Sequence, residues 1–187
     1  MDAFSYLSVL VSVVLGLAIQ QVLQGYRALA LNRRQVAVYW PSIAWSVNVL
    51  IMVIQNWWSL FGLAGHQSWT FADFAALLMQ TAGLYMMAGL VIPDTPPGEP
   101  IDLNAHYFRE RATFFGVGLF TIVWSMLRER IVEGEWLTGA NLGFHLLFAA
   151  MAITAMISRS ERVHFALATL MSGLFLLYIT LLFARLG

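Results

Sequence analysis

The sequence predicts an all-α fold, a polytopic membrane bundle of six helices, and three observations carry that prediction. The composition is 60% hydrophobic and 11% charged, with a mean hydropathy of +0.74. A soluble domain of 187 residues would need far more polar surface to cover its core. Six mostly apolar runs are each long enough for a helix of about 20 residues to cross a bilayer. The arginines, finally, cluster on alternate connections between those runs. The lipid bilayer is therefore the expected partner of the whole chain.

Taken in order, the runs are 4–26, 39–63, 71–92, 107–127, 138–157 and 163–183. The first follows Asp2 with no basic residue ahead of it, and it is long and rich in glutamine. Despite Ala28-Leu29-Ala30 behind it, it is expected to be a retained helix and not a cleaved leader. "PDTPPGEPIDLN" follows the third run, and its four prolines exclude a membrane segment. The expected organisation is one six-helix domain, 1–187, with a three-helix half at 1–92, a proline-rich cytoplasmic linker at 93–104 and a second half at 105–187.

Orientation follows from the arginines. Arg27, Arg33, Arg34, Arg109, Arg111, Arg159 and Arg162 fall on one side, and Arg128, Arg130 and Arg185 on the other. The positive-inside rule places the larger group in the cytoplasm and both termini outside, with a bacterial inner membrane as the expected location. Tyr26, Tyr39, Trp40, Tyr107 and Phe108 would belt the inner edge, and Trp57, Trp58, Trp69 and Trp136 the outer.

A shift of ninety residues lays "DFAALLMQTAGLY" over "VHFALATLMSGLF", so that Gly83 meets Gly173. This is compatible with a 3+3 inverted repeat, a common transporter plan, and equally with six helices that share no ancestry between halves.

Composition also excludes chemistry. Without cysteine there are no disulfides, thiolate metal sites or cysteine nucleophiles. All ten basic residues are arginine, so no lysine can form a Schiff base or serve a phosphate-binding loop. A net charge of zero gives no reason to expect nucleic acid. The scattered histidines support no haem pairs, and "LMSGLF" lacks the glycine that would precede an intramembrane catalytic serine. No cofactor is expected.

What remains is neutral polarity inside the apolar runs. Ser5, Ser8, Ser12, Gly16 and Gln20 share one face of the first helix, with Gln24 at its border. Ser8, Ser12 and Gly16 form a small-xxx-small pattern suited to close packing against another helix. Gln20 and Gln24 are large amides that need partners in lipid. Asn48, Gln55 and Asn56 on the second helix, Gln80 and Thr81 on the third, Thr121 and Ser125 on the fourth, and Asn141 with His145 on the fifth continue the theme. No Asp, Glu or Arg lies near the middle of a run, which argues against ion-coupled transport.

Two expectations follow. Ser12, Gln20, Gln24, Asn48, Gln55, Gln80, Asn141 and His145 would line a passive passage for a small uncharged or weakly charged solute. Alternatively the chain is a non-enzymatic scaffold or sensor, working as a homo-oligomer or a subunit of a larger membrane complex, with Ser8, Ser12 and Gly16 as its interface. A third reading uses His106, Glu110, Glu161 and His164, at i,i+4 and i,i+3 spacing, as a membrane metal site.

"FSYLSVLVSVVLGLAIQQVL", "YWPSIAW", "QNWWSLFGL" and "IDLNAHYFRER" together resemble a group of uncharacterised bacterial six-helix membrane proteins. The resemblance implies the six-helix fold and carries no activity or catalytic residue with it.

Overall fold

The computed structural model describes residues 3–66 and 68–183. Arg185 and Asp2, used above for orientation and for the leader argument, lie outside the described residues. Six helices form: α1 (Ala3–Leu31), α2 (Trp40–Leu60), α3 (Phe71–Leu90), α4 (Leu103–Val132), α5 (Gly139–Ile157) and α6 (Glu161–Leu182). A 3-10 turn, Phe61–Leu63, extends α2. All of them except α4 are long and apolar enough to cross a membrane. The uncharged stretch of α4, 112–127, lies between Arg109-Glu110-Arg111 and Arg128-Glu129-Arg130 and falls short of the usual length of about 20 residues.

Local signals explain several boundaries. Pro41 sits in the first turn of α2, where its missing N–H costs nothing. Thr70 and Asp73 form a reciprocal capping box on α3: the Asp73 N–H donates to Thr70 Oγ1 at 3.2 Å, and Asp73 Oδ2 accepts from the Thr70 N–H at 2.8 Å. That role accounts for an aspartate buried at the start of an apolar helix. Asp102 caps α4 through the Ala105 N–H, which sets the helix start at Leu103.

Helices α2, α3, α4, α5 and α6 pack in sequence around a ring that closes between α6 and α2. Helix α1 lies outside the ring, against α2 and α3. Its buried face is Val11, Leu15, Ala18, Val22 and Gly25, a four-three alternation that keeps one side of the helix against its neighbours. In lipid such contacts are held by close packing and by hydrogen bonds, because the surrounding tails are as apolar as the side chains. Gln21 Nε2 donates to the Tyr85 hydroxyl (3.1 Å), and Asn48 Nδ2 donates to Ser172 Oγ (3.0 Å), joining α1 to α3 and α2 to α6. Trp124 Nε1 donates to the Ala76 carbonyl (2.9 Å) between α4 and α3.

The linker is docked. Val36–Ala37 (β1) pairs in parallel with Ile101–Asp102 (β2). Buried Asn32 accepts from the Gly98 N–H (2.6 Å) and donates to the Ala28 and Pro96 carbonyls (3.1 and 3.4 Å). The proline-rich segment is thereby tied to the α1–α2 connection.

The pairings of the two halves differ. Helix α1 packs along α3, whereas the corresponding α4 and α6 are not packed along one another. A Cβ at Gly83 would crowd Thr121, while one at its partner in the ninety-residue shift, Gly173, would meet nothing within 4 Å.

Candidate functional site

The ring encloses a cavity of about 190 Å³. Its mouth lies where α2, α4 and α6 end and α5 begins, and is marked by Ser59, Arg128, Glu129, Glu133 and Phe183. Its middle carries Gln55 and Asn56 of α2, Gln80 of α3, Thr121 and Ser125 of α4, Asn141 and His145 of α5, and Tyr178 of α6. Its floor is apolar, with Trp45, Met87, Phe115, Ala152 and Met171. Polarity thus falls from mouth to floor, along the axis of the bundle.

Most polar groups on the walls are already occupied. Thr121 and Ser125 donate to carbonyls of their own helix (2.8 and 2.7 Å), and Ser59 does the same (2.9 Å). Tyr178 donates to Asn141 Oδ1 (3.3 Å), and His145 Nδ1 donates to the Asn141 carbonyl (2.8 Å). At the mouth Arg128 pairs with Glu129 (3.1 Å). Burial and the adjacent Glu129 carboxylate push the Glu133 carboxyl up, against the pull of Arg128.

Two amide oxygens are left over. Asn56 Oδ1 and Gln80 Oε1 have no hydrogen-bond partner, although their residues are only 6% and 7% exposed. Trp45 Nε1 is also unsatisfied at 4% exposure, its polar neighbour, the Tyr107 hydroxyl, standing off the geometry of a hydrogen bond. An unpaired buried polar group costs about 1–3 kcal/mol. All three atoms are closed to a water-sized molecule, so that cost is carried inside the packed wall and not at the surface of the cavity.

The floor is the top of an aromatic plug. Trp45 meets Phe114 and Phe115 edge-on (centroids 5.8 and 5.0 Å). Beneath them Tyr107, Tyr39, Phe108 and His164 continue the contact to the other end of the bundle. His164 Nε2–H donates to the Ser158 carbonyl (3.0 Å), which leaves Nδ1 to accept from the Tyr107 hydroxyl (2.8 Å). On the far side of Trp45 a void of about 10 Å³ is lined by His106, Tyr107, Glu110, Arg111 and Phe114. Trp45 lines both spaces.

Of the residues read from sequence as lining, the structure gathers Gln55, Gln80, Asn141 and His145. Asn48 is fully buried and engaged with Ser172. Ser12 accepts from Trp57 Nε1 (3.3 Å) on the outer side of α1. Gln20 and Gln24 are exposed on α1, which contributes nothing to the cavity. They sit one helical step from Gln21, the amide that does turn inward; the Val/Leu/Ala face wins the buried position because it packs without stranding polar groups. Ser8 is half-buried in register with the packed face and donates to the Ser5 carbonyl (3.1 Å), whereas Gly16 is exposed, and a Cβ placed there would meet nothing within 4 Å.

The residues of the metal reading are not assembled. His106 Nε2 donates to the Leu90 carbonyl (2.9 Å), and its Nδ1 accepts from Arg109 (3.2 Å). Both nitrogens of His164 are engaged as described above. Glu110 pairs with Arg109 (2.8 Å), and Glu161 accepts from Asn104 (2.9 Å). Among the described residues no group of three or more His, Cys, Asp or Glu side chains could hold a metal ion.

Asn56, Thr121, Ser125, Tyr178 and Trp45 had no lining role in the sequence reading. Asn56 carried a visible signal, being an amide one residue from Gln55 in an apolar run. Trp45 carried none, because an indole in such a run reads as packing.

A bundle of six helices, five of them able to cross a membrane, with backbone polarity satisfied inside each helix, is the architecture of α-helical integral membrane proteins. No protein-family model, curated protein or solved structure matches the chain.

Proposed function

We propose that this protein is a passive carrier of the bacterial inner membrane for a small uncharged or weakly charged solute. All six helices cross, both termini lie outside, and the cavity opens on the outer side. The observation that carries this reading is a cavity inside the ring that ends at Trp45 and whose middle is walled by neutral polar side chains from five helices. A blind cavity favours a carrier, which must rearrange, over an open pore. The uncharged middle of that wall favours passive movement over proton or sodium coupling. Seven arginines at the plugged end support the orientation. Because the helix pairings differ between halves, the reading uses no internal repeat. Purified protein in liposomes is expected to give saturable uptake of small neutral solutes, and the Asn56→Leu/Gln80→Leu double variant, which turns two amides of the wall into hydrocarbon, to lose at least ~90% of it, a lost hydrogen bond being worth about 1–3 kcal/mol. Uptake unaffected by the double change would refute the carrier reading.

A second reading has its own observation. Gln20 and Gln24 point outward from α1, beside exposed Gly16, where lipid offers amides no partner. This favours a helix of a second subunit, the same chain or another, seated on that face. Since the chain has no cysteine, Gly16→Cys or Gln20→Cys would report contact cleanly. A dimer band in oxidised membranes is expected if copies meet there. A band to another protein would point to a hetero-complex, and the absence of both would remove this reading.

A further inference from the structure

We infer that α2 and α6 move as one body against α1, α3, α4 and α5, and that a buried clasp at the plugged end, Tyr107 with His164 and Ser42 with Leu103, holds the cavity in its outward-open form. This rests on the carrier reading above and names the part that must yield. A blind cavity discharges on the far side only if that end comes apart, as when one group of helices rocks against another.

Packing divides the helices into two groups. Helix α4 packs extensively on both α3 and α5, and α1 does so on α3. Helices α2 and α6 each pack more extensively on one another than on any other helix. Hydrogen bonds follow the same division. Within the pair, Asn48 Nδ2 donates to Ser172 Oγ (3.0 Å), and Trp58 Nε1 donates to the Phe183 carbonyl at the mouth (2.9 Å). Within the larger group, Gln21 donates to Tyr85 and Trp124 to the Ala76 carbonyl. The cavity lies between the two groups and is walled by both.

The seam between them is bonded unevenly. At the plugged end the Tyr107 hydroxyl donates to His164 Nδ1 (2.8 Å), Ser42 Oγ to the Leu103 carbonyl (3.2 Å) and Asn104 Nδ2 to Glu161 (2.9 Å). The Tyr26 and Ser46 hydroxyls are bonded there as well (2.8 Å). At the mouth the bonds from Tyr178 to Asn141 and from Trp57 to Ser12 are both stretched to 3.3 Å.

The Tyr107–His164 bond is set where nothing can replace it. His164 and Ser42 are 0% exposed. The Ser158 carbonyl accepts from His164 Nε2 (3.0 Å) and from Arg111 Nε (3.1 Å), which fixes the imidazole with Nδ1 as its acceptor. Without the Tyr107 hydroxyl that nitrogen is a buried acceptor with no partner, and only opening to water supplies one.

Ser125→Cys in oriented vesicles, probed from each side with a small membrane-impermeant methanethiosulfonate, tests the clasp. Adding Tyr107→Phe, which keeps the ring, is expected to speed reaction from the arginine-rich side about 10-fold without speeding it from the side of the termini. Tenfold is about 1.4 kcal/mol, within the worth of one interhelical hydrogen bond in a membrane. Ser42→Ala should act in the same direction, and it keeps the test alive should Tyr107→Phe fail to fold. Ser172→Ala, which breaks a bond inside the α2–α6 pair, should leave the arginine-side rate within threefold. An unchanged arginine-side rate in either folded clasp variant, a rise from both sides alike, or the same one-sided rise in Ser172→Ala would each overturn the inference. Reaction from both sides in Ser125→Cys alone would instead refute the carrier reading.

Discussion

Trp45→Ala is expected to turn the blind cavity into a leak. The Trp45 indole lines both the 190 Å³ cavity and the 10 Å³ void beyond it, and it meets Phe114 and Phe115 edge-on. Deleting it joins the outer space to one bordered by His106, Glu110 and Arg111 near the arginine-rich end. In stopped-flow light scattering, glycerol entry into liposomes should rise at least ~10-fold over the native protein and should no longer saturate. The same change removes a large buried side chain, so unfolding in detergent should also come earlier, by about 3–5 kcal/mol. Trp45→Phe keeps a ring at the floor and should remain tight. A Trp45→Ala protein that folds and shows native permeability would mean that the floor is sealed elsewhere.

Gly83→Val is expected to be the most damaging small change on the α3–α4 contact. A Cβ at Gly83 would stand 2.5 Å from Thr121 Oγ1, which is itself bonded to the Val117 carbonyl. The helices must separate or Thr121 must leave its rotamer, and overpacking of this kind costs about 1–3 kcal/mol or more. Gly173→Val, where nothing lies within 4 Å, should be close to neutral. Thermal unfolding of the two variants in the same detergent makes the comparison. Equal loss in both would show that the cost is one of helix backbone and not of the close approach.

The contrast between these glycines also shows how far sequence reaches here. Gly83 and Gly173 are equivalent as letters in similar apolar strings, and only the neighbouring helix separates them. The helices themselves were legible, since each run of apolar residues must satisfy its own backbone in lipid. The rotation of a helix was less so. On α1 the polar stripe and the packed face are both regular, and nothing in the string says which turns inward. Gln20 and Gln21 differ by one position, yet one is exposed and the other reaches Tyr85. Amides and histidine inside apolar runs were a good guide where the ring encloses them, as at Gln55, Gln80, Asn141 and His145. They misled where one amide found a single partner, as Asn48 did in Ser172. The docking of the linker by Asn32 depends on a contact sixty-six residues away, at Gly98, and no local pattern announces it.

A carrier of this kind requires the cavity to be open at one end and blind at the other. Ser125 lies on its wall, and the chain has no cysteine of its own. A Ser125→Cys variant in oriented vesicles should react with a small membrane-impermeant methanethiosulfonate added from the side of the termini. It should not react when the reagent is added from the arginine-rich side. Equal modification from both sides, or modification from the arginine-rich side alone, would contradict the account.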